Sequence, residues 1–168
     1  MAEDGKAAET AAGRKDGAME IRVLKKGDMP ALAVLYRAFW DEPSDVPAME
    51  RQLEAMQAEG NAVVLGALAG GELLGSVTGY FCRDLYGACR PFLLVENMVV
   101  AESARRQGVG RRLLAELERR AGEAGCSQML LVTEADRTQA HRFYEASGFG
   151  KGTHSGFKKK LKGTAAHG

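Results

Sequence analysis

Phe92-Leu93-Leu94-Val95-Glu96-Asn97-Met98-Val99-Val100 is followed, after Ala101 to Ala104, by Arg105-Arg106-Gln107-Gly108-Val109-Gly110-Arg111-Arg112. The first run is apolar on both sides apart from its Glu96-Asn97 pair, the pattern of a largely buried strand. The second opens a helix whose apolar positions, Leu113, Leu114, Leu117, Ala121 and Ala124, fall at helical spacing. Two glycines in its first turn let a bulky ligand approach the main chain. The first N–H groups of a helix lack intrahelical acceptors and face outward with the positive end of its dipole. Ringed by Arg105, Arg106, Arg111 and Arg112, such a turn suits a pyrophosphate.

Two common nucleotide folds fit this join poorly. A P-loop needs a Gly-Lys-Ser/Thr ending, and none follows Gly108 or Gly110. A dinucleotide fingerprint needs a third glycine and an acidic residue ending a second parallel strand, whereas the next strand runs out at Leu131-Val132-Thr133 before Glu134.

Arg105-Arg106-Gln107-Gly108-Val109-Gly110 resembles the signature of the GNAT superfamily of N-acetyltransferases, Arg/Gln-x-x-Gly-x-Gly/Ala directly after a buried strand. Downstream, Ala140-His141-Arg142-Phe143-Tyr144-Glu145-Ala146-Ser147-Gly148-Phe149 resembles the family helix that ends in a Phe-Tyr pair and a Gly-Phe step. The resemblance covers Ile21 to Leu161, and two motifs in the right order are more specific than either alone. The chain departs from the family at Arg137, where many members carry an asparagine that contacts the cofactor.

The resemblance implies an α/β fold: a mixed sheet of six to seven strands with an antiparallel N-terminal meander, a splayed parallel pair at the centre and about four helices. It implies acetyl-CoA as cosubstrate and a primary amine, on a small molecule or a peptide, as acceptor, with direct attack in a ternary complex and no acyl-enzyme. That chemistry needs a pyrophosphate grip, a donor to the carbonyl oxygen, a route for the ammonium proton and an acid for the thiolate. The implied grip is the main chain from Arg106 through Gln107, Gly108, Val109 and Gly110 to Arg111, with Arg105 and Arg137 beside it. Main-chain groups of Met98, Val99 and Val100 would pair with the pantetheine arm like an added strand, and the Met98 N–H would polarise the thioester carbonyl. As side chains these three read simply as core.

Tyr144 matches the family tyrosine that protonates the coenzyme sulfur, a sensible role for a phenol of pKa ≈ 10; the alternative is a core tyrosine with its hydroxyl at the surface. Glu96 occupies the strand position where several members hold a general base. A carboxylate within an apolar strand is costly unless paired or functional, and acceptance of a hydrogen bond from an arginine is the plainer reading. Trp40, Asp41, Glu42 and Asp45 on one loop, with Asp84 and Tyr86 on another, would bring aromatics and carboxylates to the acceptor side and favour a cationic amine. The rival readings are a non-catalytic acyl-CoA-binding or sensing module and a different nucleotide-binding α/β protein.

A chain of 168 residues is expected to form one domain, here 19–161, flanked by a disordered tail or expression remnant at 1–18 and a disordered tail at 162–168. A net charge of +1 argues against a general nucleic-acid binder. Cys82, Cys89 and Cys126 are odd in number and lack paired metal-site spacing, so free thiols in a reducing cytoplasm are expected, with no metal site. No apolar run approaches the ~20 residues of a membrane span. Dimerisation is common in the family, through sheet edges or terminal strands.

Along the chain, Glu20 to Leu24 alternates as a strand, and Asp28 is the expected N-cap of a helix with Pro30 in its first turn. Ala48 to Ala58 has helical spacing and stops at Gly60. Ala62 to Leu68 and Leu73 to Cys82 flank a Gly-Gly step as a β-hairpin. Gly125 is expected to close the helix after the central strand, and Ser127 to Thr133 to be a parallel strand reached by that crossover. Thr138 to Ser147 is the last helix, ended by Gly148. The stretches near Phe149 and from His154 to Leu161 are expected to form a terminal antiparallel pair.

Overall fold

A computed structural model describes residues 18–150, 152, 156–159 and 161. Both expected tails lie outside these residues, Ala18 excepted. Strand β1 (Glu20–Val23) leads into helices α1 (Met29–Trp40) and α2 (Val46–Glu59), then strands β2 (Ala62–Ala69), β3 (Glu72–Cys82) and β4 (Phe92–Val100). Helix α3 (Val109–Glu123), strand β5 (Met129–Leu131) and helix α4 (Thr138–Ala146) follow.

The sheet runs β1-β2-β3-β4-β5, antiparallel except for the parallel β4–β5 pair. The meander and the four helices agree with expectation; the strand count does not. Five strands are present among the described residues instead of six to seven, and Phe149, Gly150, 156–159 and Leu161 carry no strand. Among the described residues the parallel pair accordingly lies at one side of the sheet, with β5 last in the strand order. That strand is also shorter than Ser127 to Thr133, because only Leu93, Leu94 and Val95 offer it partners.

Each face of the sheet is covered by helix. Leu113 and Leu117 of α3, both fully buried, pack with Val63, Leu65, Val77, Leu93 and Val95 on one face. Leu32 and Leu35 of α1 and Leu53 of α2 pack with Val64 and Leu73 on the other. Burying a leucine contributes about 1.5–3 kcal/mol, so these two layers hold the sheet from both sides.

Local chemistry sets the ends of the helices. Asp45 Oδ1 accepts from the Ala48 N–H at 3.0 Å, starting α2 two residues before the expected Ala48, and Gly60 ends it in the left-handed region. Asp28 precedes α1, but its carboxylate does not cap that helix: it turns back to Arg22, at 2.7 and 2.8 Å, and to the Lys25 N–H. Gly125, at φ 70, closes α3 as expected: the Cys126 N–H donates to Ala121 O and the Gly125 N–H to Gly122 O. Gly148 closes α4 in the same way, and the Phe149 N–H donates to Tyr144 O at 3.0 Å.

Candidate active site

The site grows from a defect in β4. Thr78 faces Glu96 while Ser76 faces Val99, so Asn97 and Met98 together oppose Val77. Asn97 takes φ 51, which an L residue adopts at some cost and which asparagine tolerates better than most. This bulge bends β4 just past Val95, the last residue paired with β5. From Glu96 to Val100 the strand is paired with β3 alone among the described residues. The two parallel strands therefore part, leaving one edge of β4 open at Met98.

The turn before α3 stands beside that opening. Arg105 to Gly108 are exposed, and Arg106 and Gly108 both have positive φ, 63 and 81. Alternating handedness of this kind turns successive N–H groups toward one point, and the free N–H groups of the α3 first turn follow directly. A Cβ built on Gly108 meets nothing within 4 Å, so the space above the turn is open to a ligand. Gly110 has a different reason: a Cβ there would meet Phe143 Cζ at 3.0 Å and Met98 Cε at 3.1 Å. Its lack of a side chain lets α3, β4 and α4 converge.

The expected grip residues divide by what their side chains do. Gln107 Nε2 donates to Ser103 O at 2.7 Å and braces the loop, so its contribution to a ligand is main-chain only. Arg105 is half-exposed, 3.9 Å from Glu102. Arg106 and Arg111 are exposed. Arg112 is turned away from the site, its Nη2 donating to Met19 O at 2.7 Å. Val109 is buried in the core, as are the side chains of Val99, and Met98 and Val100 pack against it.

Tyr144 lies between two aromatic neighbours, Phe143 at 5.2 Å and Phe149 at 5.8 Å, both edge-on. The Gly148 closure of α4 is what delivers Phe149 to that ring. Burial raises the Tyr144 phenol above its ordinary value; Arg137 opposes the shift and Glu96 adds to it. The Tyr144 phenol thus feels the charge of both Glu96, a candidate base, and Arg137, the residue that departs from the family pattern. Glu96 is half-buried and has no ion pair among the described residues, so the plain reading of an arginine partner is not what is seen. The Arg137 guanidinium lies 4.8 Å from the centre of the Phe39 ring, joining the start of α4 to the end of α1. His141 Nε2 is 2.9 Å from Glu134 O and serves the β5–α4 connection.

On the opposite face a cavity of about 420 Å³ lies between α1, α2 and the sheet, with Asn97 of the bulge in its wall. Tyr36, Asp45, Met49 and Tyr80 also line it. Burial pushes the Tyr36 phenol up to about 12, against the opposing effect of the Thr78 and Ser76 hydroxyls. The fully buried Ser76 Oγ has no hydrogen-bond partner among the described residues.

Trp40, Asp41, Glu42 and Tyr86 are not among the residues lining this cavity. Trp40 packs edge-on against Tyr36 and Phe39, Asp41 closes α1 at φ 55, and Glu42 is exposed. Tyr86 is 87% exposed on the β3–β4 loop, its N–H bonded to Asp84 Oδ1. Sequence reasoning missed Tyr36, Met49 and Asn97 as wall residues. Only Asn97 had a signal, a polar residue able to adopt positive φ inside an apolar strand.

A profile of the Acetyltransferase (GNAT) family matches residues 29–149, from the start of α1 to the Phe149 that covers Tyr144. The chain belongs to that family. The Uncharacterized N-acetyltransferase YhfO of Bacillus subtilis (strain 168) is 32% identical over 138 residues, spanning 80% of this acetyltransferase and 92% of that protein. Aminoglycoside N(6')-acetyltransferase type 1 of Salmonella enteritidis is 26% identical, spanning 78% and 91%. Among solved structures, AAC(6')-Iy in complex with the bisubstrate analogue CoA-S-monomethyl-acetylneamine superposes with a TM-score of 0.71 at 25% identity, covering 86% of this GNAT chain and 99% of that one.

Proposed function

We propose that this chain transfers the acetyl group of acetyl-CoA to a primary amine by direct attack in a ternary complex. The observation that carries the reading is the parting of β4 and β5 after Val95, beside an open, arginine-flanked turn that leads into α3. The residues present fit the coenzyme. The turn from Arg105 to Arg111 offers converging N–H groups and guanidinium charge to a diphosphate, and the unpaired edge of β4 from Met98 to Val100 offers main-chain partners to an extended amide-bearing arm.

Acetyl-CoA supplies an activated thioester, in which the new N–C bond forms as the C–S bond breaks. Glu96 accepts, directly or through water, the proton that the ammonium must lose before it can attack. The Met98 N–H donates toward the carbonyl oxygen, where charge builds up. Tyr144 gives its proton to the departing sulfur; a phenol raised by burial stays protonated at neutral pH until that sulfur needs it. Arg137, whose charge opposes the rise of that phenol, takes the position of the family asparagine without its amide.

Assay of free thiol release against an amine panel, run beside calorimetric binding of acetyl-CoA, tests the reading. Amine-dependent thiol release supports it, and binding with no release for any amine would make the chain an acyl-CoA-binding module instead. The same reading places the protein in the cytoplasm with Cys82, Cys89 and Cys126 as thiols. It also assigns the sheet edge at β5, where Leu130 and the following Val132 are exposed, to a homodimer contact that gel filtration would detect.

A further inference from the structure

The cavity between α1, α2 and the sheet has a chemical character of its own. Met29 of α1 and Met49, Leu53 and Met56 of α2 form much of its wall, and Asn97 of the β4 bulge also lines it. Methionine is unbranched and polarizable, so a wall of three adapts to an aromatic or alkyl body. Its volume of about 420 Å³ falls within the roughly 300–1,000 Å³ of pockets that enclose small organic ligands.

Charge is scarce. Asp45 is the only ionisable carboxylate among the described lining residues, and its Oδ1 is engaged by the Ala48 N–H. A ligand bearing several ammonium groups finds only Asp45 as counter-charge in this lining, and any ammonium drawn in against methionine and leucine gives up hydration without compensation. One ammonium, by contrast, has both Asp45 and the polar lining groups of Asn97, Thr78 and Tyr36 to choose from. Asn97 adjoins Met98 along β4, so the cavity reaches the bulge where the strand opens.

We infer that the acceptor is a monoamine on an aryl or alkyl body, its apolar part held by Met29, Met49, Leu53 and Met56, rather than a polycation such as an aminoglycoside. This rests on the acetyltransferase reading above and departs from the substrate class named for the similar aminoglycoside enzymes.

The test compares kcat/KM for phenethylamine, tryptamine and hexylamine with that for spermidine and neamine, with acetyl-CoA binding measured separately. The expected result is a preference of about 100-fold for the monoamines, the scale at which apolar pockets discriminate. Met49→Asp should lower monoamine kcat/KM at least tenfold with the acetyl-CoA Kd unchanged, which also shows that the variant is folded. Gln52→Glu, at an exposed position in the same wall, should narrow the gap between spermidine and phenethylamine without a folding risk. Preference for neamine or spermidine, indifference of the monoamines to both substitutions, or acetyl-CoA binding with no monoamine turnover would each overturn the inference while leaving the coenzyme site standing. Failure to bind acetyl-CoA at all would remove the acetyltransferase reading, and the inference with it.

Discussion

The Tyr144 ring is clamped between Phe143 and Phe149, so its hydroxyl has little rotational freedom and its position follows from the end of α4. Replacing Tyr144 with Phe keeps the clamp and removes only the acid. The expected outcome is a fall in kcat of about 100-fold or more, within the usual range for a general acid, with acetyl-CoA affinity by calorimetry nearly unchanged. Glu96 is a separate question, because its carboxylate projects from the bulged strand without an ion-pair partner among the described residues. Glu96→Gln should depress kcat/KM at neutral pH and recover as pH rises, since free amine then arrives already deprotonated. A pH–rate profile identical to that of the parent would assign the proton to bulk water. Arg106 is the residue whose conformation was hidden: nothing in an arginine announces φ 63.

Helix α3 carries both the proposed coenzyme grip and a charge cluster on its solvent face. Glu116 accepts from Arg119 at 2.8 Å and from Arg120 at 2.8 Å, and Arg119 also pairs with Glu123. The hydrogen bond from Arg119 leads in lowering the Glu116 carboxyl from 4.5 to about 2, with Arg120 adding to it. A carboxylate depressed in the folded state contributes stability that is complete above the unfolded pKa and is lost as pH falls through the folded one. The parent should therefore exceed Glu116→Gln in stability at neutral pH by a modest margin, of the order of the 0.2–1 kcal/mol of exposed pairs. Urea titrations should show that margin shrinking as pH drops from 4.5 toward 2. In β4 the decisive feature is the bulge. The Glu96-Asn97 interruption was visible in the sequence as an oddity, but its consequence, a strand that leaves β5 after three paired residues, depends on β3 holding register on the other side.

For the folded protein as a unit, the two apolar layers make the sheet a fixed platform, and ligand binding to it should appear as thermal stabilisation. At 100 times Kd a ligand that binds only the folded state adds about 2.7 kcal/mol. For a domain of this size each kcal/mol raises Tm by about 2–4 °C, so acetyl-CoA should raise Tm by roughly 5–10 °C. Reversing charge at Arg105→Glu together with Arg106→Glu should abolish the rise while leaving the Tm of the free protein close to that of the parent. Scanning calorimetry with and without acetyl-CoA measures both.

Local patterns set by one or two neighbouring residues were legible in the linear chain: the alternation of strands and helices, the Gly125 and Gly148 helix closures, the strand-to-helix turn with its arginines and the placing of Tyr144 after Phe143. These depend on backbone preference and side-chain periodicity, which act over a few residues. The terminal antiparallel pair expected near Phe149 and from His154 to Leu161 does not stand among the described residues: the stretch is polar and basic, with Phe149, Phe157 and Leu161 too isolated to give a strand an apolar face. Folding alone could decide that Gly110 serves packing while Gly108 keeps the turn open, that Arg112 points away while Arg137 reaches Phe39, and that a methionine-walled cavity, lined by Asp45 but not by Asp41 or Glu42 of the acidic loop, adjoins the bulge. Each of those outcomes depends on atoms far apart in the chain meeting at a few ångströms, and no stretch of sequence holds that distance.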